Sequence, residues 1–166
     1  KLALSCALIH KPRLLLLDEP TTGVDAVSRA EFWEMLKKLK QHGITIIAST
    51  PYMDEAMQCH RVALIQEGKI LSVDTPEKIR AGFSRRLFSI RAPEKFRLIN
   101  ALKAFPETLS AYPFGDSVHV TFLNDTPVDS LADRLKKEGV NGTVIVETTP
   151  GIEDRFLELM EKPGEG

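Results

Sequence analysis

Leu14-Leu15-Leu16-Leu17-Asp18-Glu19-Pro20-Thr21-Thr22-Gly23-Val24-Asp25 sets four consecutive apolar residues against two carboxylates. Lys11-Pro12-Arg13 bounds the run upstream and Pro20 ends it. The run is too short for a helix and reads as a strand over 13–18 buried on both faces, as in a parallel sheet covered by helices. Such a strand delivers Asp18 and Glu19 at its carboxyl end, where open α/β sheets bind ligands. An Asp there suits hydrated Mg²⁺, which prefers one or two carboxylates plus phosphate oxygens. Glu19, expected to project the other way along the pleat, suits the orientation or deprotonation of an attacking water. A lone Asp-Glu-Pro is more often a polar strand end running into a turn, so the flanking residues decide.

Downstream, residues 27–42 read as a helix with Ala30, Phe32, Trp33, Leu36 and Leu39 as its apolar stripe and Gly43 at the C′ position. Trp33 reads as a core anchor rather than a ligand stack. Ile44-Thr45-Ile46-Ile47-Ala48 is a second strand rich in β-branched residues. Strand, helix and strand with short joints make a right-handed crossover, which brings Ser49 and Thr50 out at the same edge as Asp18 and Glu19. Thr50 is then the expected N-cap, and Pro51 the first residue, of a helix over 51–59 that turns Tyr52, Met53, Ala56 and Met57 inward. Upstream, residues 2–10 carry helical spacing with Leu2, Ala3, Cys6, Ala7 and Ile9 inward, and Pro12 stops that helix.

Read together, 14–25 resemble the Walker B motif and following D-loop of ATP-binding cassette (ABC) transporter ATPases. Ala48-Ser49-Thr50-Pro51-Tyr52-Met53-Asp54-Glu55-Ala56 resembles the family's switch segment, and residues 1–13 resemble the helix that follows its Leu-Ser-Gly-Gly signature. The resemblance implies that Asp18 binds Mg²⁺ through water, that Glu19 is the general base, and that Asp25 belongs to a D-loop crossing to the opposite subunit of an ATP-bound dimer. It also puts Pro51 where most members carry a His that donates to the γ-phosphate. Proline offers no side-chain or backbone donor, and one transition-state donor is worth roughly 2.7–4 kcal/mol.

Beyond the switch segment, residues 62–65 and 70–73 form a hairpin about Glu67-Gly68-Lys69, and residues 76–80 form a short helix after Asp74-Thr75. Gly82, Ser84 and Arg85-Arg86 then interrupt the apolar pattern and mark a boundary. Two domains are expected: 1–82, the C-terminal part of an ABC nucleotide-binding domain, and 85–166. In the latter, strand 87–91, helix 94–104, strands 109–112 and 118–123 about a Phe114-Gly115-Asp116 turn, helix 128–138 and strand 143–147 follow the β-α-β-β-α-β order of a ferredoxin-like unit. A last helix, 152–160, is expected to turn Phe156, Leu157 and Met160 to one face. No cluster of carboxylate, His or Cys suggests chemistry there, and this part reads as a structural or dimerising appendage. The fold class is α/β, a partial P-loop NTPase parallel sheet without its Walker A part, followed by a small α+β ferredoxin-like domain.

Composition narrows the function. In 166 residues the formal net charge is −1, and 27% of the residues are charged. Without a basic excess, nucleic acid is not an expected partner, which argues against a DNA-repair or translation ATPase of the same superfamily. No run of eighteen apolar residues occurs, so any membrane link is expected through a partner. Lys1 to Ala7 imitates a signal peptide, but its apolar part is short and Lys11-Pro12-Arg13 cuts it off. Cys6 and Cys59 lack the density of a disulfide framework, and Cys6 with His10 supplies only two metal ligands. Asn141-Gly142-Thr143 matches a glycosylation acceptor that a cytoplasmic protein does not use.

A phosphate loop, Gly-x-x-x-x-Gly-Lys-[Ser/Thr], does not occur in this sequence, nor does the signature. A start without Met inside an amphipathic pattern reads as truncation, so the ATP and Mg²⁺ site is expected to be incomplete in this chain and the chain alone inactive. The whole subunit is expected to hydrolyse ATP as a homodimer beneath an integral membrane permease, peripheral on the cytoplasmic face of the cell membrane, and to power export of a multidrug or ABC-2 type. The alternative is a non-catalytic, ATP-gated scaffold with 85–166 as its interaction module.

Overall fold

A computed structural model describes residues 2–123 and 128–161. The chain divides into two compact units, Lys1–Ile79 and Arg80–Gly166.

The first unit starts with α1 (Leu2–Leu8), β1 (Leu14–Leu17), α2 (Ala26–Gln41) and β2 (Thr45–Ala48). It continues through α3 (Met53–Ala56) to the hairpin of β3 (Val62–Gln66) and β4 (Lys69–Asp74). β1 and β2 pair in parallel with Leu15 opposite Ile46 and Leu17 opposite Ala48, the parallel pairing expected from the sequence. One sheet face packs into a cluster of Leu4, Leu15, Phe32, Trp33 and Leu36, flanked by Leu17, Ile46 and Ala48. Trp33 is a core residue, 5% exposed. After α2 the chain reverses at Gly43, whose φ of 85° is open to glycine without strain.

Several expectations fail here. β1 is not buried on both faces: Leu16 and Ile47 remain 67% and 58% exposed, and Leu14 is exposed beside them. Among the described residues, helices cover one side of this sheet only, so the strand alternates where a parallel strand is ordinarily apolar throughout. α1 likewise buries Leu4 and half-buries Leu8, while Cys6, Ala7 and Ile9 face solvent; the side chains of Leu2 and Ala3 lie outside the described residues. Ala30 is exposed too, because the buried stripe of α2 is only Phe32, Trp33 and Leu36. Helix 51–59 contracts to four residues, with Tyr52 at its N-cap and Met57 exposed.

α4 (Pro76–Ala81) leads to β5 (Leu87–Arg91), α5 (Lys95–Ala104), β6 (Thr108–Phe114), β7 (Ser117–Phe122), α6 (Val128–Lys137), β8 (Val144–Thr148) and α7 (Ile152–Glu161). The strands form one sheet in the order β6-β7-β5-β8, each pair antiparallel. Phe88, Ile90, Val118, Val120 and Phe122 project to one face and pack on Leu98 and Leu102 of α5 and Leu131 and Leu135 of α6.

The other face of this sheet departs from expectation. Ser89, His119 and Tyr112 share it by register, and the residues that α7 buries are Ile152, Asp154 and Glu158 rather than Phe156, Leu157 and Met160. Met160 is exposed. Asp154 Oδ1 accepts from Tyr112 Oη at 3.0 Å and pairs with His119 Nδ1 at 2.7 Å, while its Oδ2 accepts from the Gly151 N–H at 2.7 Å. Phe114 stacks on the His119 ring with centroids 4.0 Å apart. Glu158 accepts from Ser84 Oγ at 2.9 Å and from Arg155 Nη1 at 2.5 Å. A buried acid is tolerated when its oxygens are this fully engaged, and an apolar-periodicity reading cannot find a helix whose buried face is acidic. A buried His119–Asp154 pair thus anchors α7 on this face, a structural contact that apolar periodicity does not reveal.

Leu98 is wholly buried, so Leu98→Ala should cost about 2–5 kcal/mol in urea unfolding read by NMR signals of the second unit. Leu16→Ala, at an exposed site of the first unit, should change its stability by less than about 0.5 kcal/mol; equal losses would contradict the assigned burial. Burial alone raises the Asp154 carboxyl, but donation from His119 and Gly151, the His119 charge and Tyr112 outweigh it and hold it below its ordinary value. A depressed folded-state value stabilises above the unfolded Asp value of about 3.9 and is lost as pH falls through the folded one. Stability of the second unit should therefore drop more steeply between about pH 5 and 2 in the parent than in Asp154→Asn; parallel pH profiles would contradict this.

Candidate functional site

The site lies at the carboxyl ends of β1 and β2. β1 ends at Leu17, and the Ser49 N–H extends the ladder by one bond to the Leu17 carbonyl, 2.9 Å. Asp18 and Glu19 thus leave the sheet just where Ser49 does. Ser49 Oγ donates to Asp18 Oδ1 at 2.5 Å and accepts from the Glu19 N–H at 2.9 Å, so one hydroxyl joins both acidic residues to the neighbouring strand. Asp18, Glu19 and Ser49 are all exposed.

Glu19 does not continue the pleat as expected. Its φ is 43°, in the left-handed region that non-glycine residues seldom occupy. The turn that follows holds this conformation: the Thr22 N–H donates to the Glu19 carbonyl at 3.1 Å, and Thr22 Oγ1 donates to Glu19 Oε2 at 3.0 Å. Strained backbone of this kind persists where surrounding contacts over-determine it, commonly at sites that present a side chain.

Asp25 caps α2. Its Oδ1 accepts from the Val27 and Ser28 N–H groups, each at 3.0 Å. Donation from Ser28, backbone and side chain, and from Val27 outweighs slight burial and holds the Asp25 carboxyl below its ordinary value. Pro51 is exposed and precedes α3 rather than starting it. Thr50, expected as an N-cap, instead closes a tight turn: its Oγ1 accepts from the Tyr52 N–H at 3.1 Å and donates to Glu55 Oε2 at 2.6 Å. Helix onset is deferred because this local hydroxyl bond satisfies the backbone first.

Sequence reading missed Glu55 as a site residue. It is 2% exposed, and its Oε1 accepts from Thr21 Oγ1 at 2.7 Å, a bond across thirty-four residues. Arg29 of α2 sits over the Tyr52 ring, 4.7 Å from its centroid, 3.6 Å from Asp54 Oδ2 and 4.0 Å from Glu55 Oε1. The available signal was Glu55 five residues after Thr50 in a segment too short to bury an acid without a partner.

Asp18 keeps Oδ2 without a partner among the described residues. That suits a cation held through water, and no set of three or more His, Cys, Asp or Glu among the described residues offers a protein-only metal cage. The donor chemistry fits Mg²⁺, which takes few carboxylates and keeps waters and phosphate oxygens. A depression of about 330 Å³ is lined by Pro20, Thr21, Val24, Ser28 and Phe32; neither Asp18 nor Glu19 borders it.

No family model matches the chain. The probable multidrug ABC transporter ATP-binding protein YbhF of Escherichia coli K12 is 34% identical over 168 residues, which are 99% of this chain and 28% of that protein. Nod factor export ATP-binding protein I of Burkholderia pseudomallei K96243 is 34% identical over 161 residues, 96% of this chain and 51% of the relative. Daunorubicin resistance ATP-binding protein DrrA2 of Streptomyces coeruleorubidus is 30% identical over 165 residues, with the same two coverages of 96% and 51%. A solved structure of CbiO1 from Clostridium perfringens, part of the ABC transporter complex CbiONQ, covers 48% of this chain and 33% of its own with 33% identity and a TM-score of 0.45. The chain spans about half the length, or less, of the curated relatives it matches. Matched along 96–99% of its residues by these proteins, the chain is homologous to ABC transporter ATP-binding proteins.

Proposed function

We propose that this chain is the C-terminal part of an ATP-hydrolysing ABC transporter subunit that drives export across a membrane, working as a homodimer beneath a permease on the cytoplasmic face. The observation that carries the reading is the Ser49 hydroxyl holding Asp18 and Glu19 at one parallel strand end. Asp18 holds Mg²⁺ through water with its free Oδ2. Glu19 takes a proton from the attacking water, a role worth about 10²–10⁴ in rate. When bound, Mg²⁺ neutralises charge on the phosphate oxygens. Asp25 keeps the D-loop anchored to α2 and couples the two subunits. The export direction is supported by the multidrug and export functions that the relatives' names carry.

The phosphate-holding groups belong, on this reading, to a part of the subunit outside this sequence, which contains no phosphate loop. Exposed Leu14, Leu16 and Ile47 support it, because a parallel sheet in a doubly covered fold needs a second apolar layer on that face. The element order and β6-β7-β5-β8 arrangement of the second unit support a ferredoxin-like appendage. Pro51 favours a second reading, an ATP-gated scaffold with little turnover, since it supplies no donor where a switch residue would contact the γ-phosphate.

Steady-state hydrolysis by the full-length subunit with its permease separates these readings. Turnover that Glu19→Gln lowers by about 10²–10⁴-fold while MgATP binding persists is the expected result. Turnover undiminished by Glu19→Gln would remove Glu19 from this role, and nucleotide binding without turnover in the parent would establish the scaffold. The present chain alone should neither bind nor hydrolyse MgATP measurably; micromolar affinity in calorimetry would contradict the assignment of the phosphate-holding groups elsewhere.

A further inference from the structure

We propose that Glu55 is a positioning residue whose single buried carboxylate ties the loop after Glu19 to the segment after Ser49, so that the two loops framing Asp18 move as one. Both Glu55 oxygens are used, Oε1 by Thr21 at 2.7 Å and Oε2 by Thr50 at 2.6 Å, and Thr21 is itself only 1% exposed. α3 has just four residues. A helix that short has little intrinsic stability, so its acid is not buried by helix packing and must be held by what it binds. Desolvating a carboxylate is unfavourable unless hydrogen bonds and charge offset it. Two hydroxyl donors, with Arg29 at 4.0 Å, fill that requirement.

The contacts close a ring. Thr21 is followed by Thr22, whose N–H and hydroxyl both fix Glu19. Thr50 follows Ser49, whose hydroxyl fixes Asp18 and the Glu19 N–H. Displacing either threonine from Glu55 therefore reaches the carboxylate pair from both sides. An acid that merely stabilised α3 would need only one of these bonds, and the Thr21 bond leads away from α3 altogether. The catalytic consequence rests on the reading of Asp18 and Glu19 given above; the tie itself does not.

Amide hydrogen exchange on the present chain reads the tie. Thr50→Val should speed exchange at Thr22 and Val24 several-fold as well as at Tyr52, and Thr21→Val should speed exchange at Tyr52 and Met57 as well as within 20–25. Thr50→Ser and Thr21→Ser, which keep the hydroxyl, should restore the parent rates. Effects confined to the loop that carries each substitution overturn the proposal, as does failure of the Ser variants to rescue. If Thr21→Val does not fold, Thr50→Val and its Ser rescue decide the matter. In the full-length subunit, Thr50→Val should lower kcat by about 10–100-fold with little change in KM for ATP. An unchanged kcat in an active subunit denies Glu55 its positioning role, whereas a parent subunit that never hydrolyses ATP defeats the functional reading and leaves the exchange result to judge the tie.

Discussion

With Leu17 opposite Ala48, the parallel ladder runs out one residue before Asp18, and the Ser49 hydroxyl closes it. That hydroxyl accepts from one backbone amide and donates to one carboxylate, so Asp18 and Glu19 are held against the neighbouring strand by a single group. Slipping β2 by one residue against β1 would turn Ile46 and Ala48 out of the core and carry Ser49 past Asp18. The apolar contacts of α2 with one face of the sheet are thus what places the acids. Core packing and site geometry are one constraint here.

The two units solve the problem of a sheet's second face differently. In the second unit, α5 and α6 cover the apolar side, while α7 meets the polar side through Asp154 and His119. Each buried acid there is matched by donors, so polar burial specifies how the helix docks where apolar packing alone would allow sliding. In the first unit the face carrying Leu16 and Ile47 stays open among the described residues. An uncovered parallel sheet face is unusual for a doubly covered layer, and the chain spans about half the length, or less, of these relatives.

How much of this was legible in the sequence depended on which force governed each element. The β1-α2-β2 crossover was readable from the leucine run, the Phe32-Trp33-Leu36 stripe and Gly43, because apolar periodicity and turn chemistry dictate it. The order of elements in the second unit was readable for the same reason. Periodicity misled where partners were absent or polar. β1 looked buried on both faces because four leucines carry no information about which face is covered. α7 looked anchored by Phe156 and Leu157, yet Asp154 and Glu158 are its buried residues, since hydrogen bonds to Tyr112, His119 and Ser84 come from positions distant in sequence. Pro51 looked like a helix start, but the Thr50 hydroxyl captured the Tyr52 amide and moved the onset to Met53. Glu55 was hidden by the same limit, because its partner Thr21 lies thirty-four residues away.

On the proposed reading, Asp18, Glu19 and Ser49 form the part of the site this chain contributes, one acid suited to a hydrated cation and one to a water. Electron paramagnetic resonance of Mn²⁺ in place of Mg²⁺, bound with ATP to the full-length subunit, tests that division most directly. The account predicts that Asp18→Asn weakens Mn²⁺ binding by about 10–100-fold, the usual loss for a residue that grips a metal through its outer shell, while Glu19→Gln leaves it nearly unchanged. Equal Mn²⁺ affinity in the parent and in Asp18→Asn would contradict it.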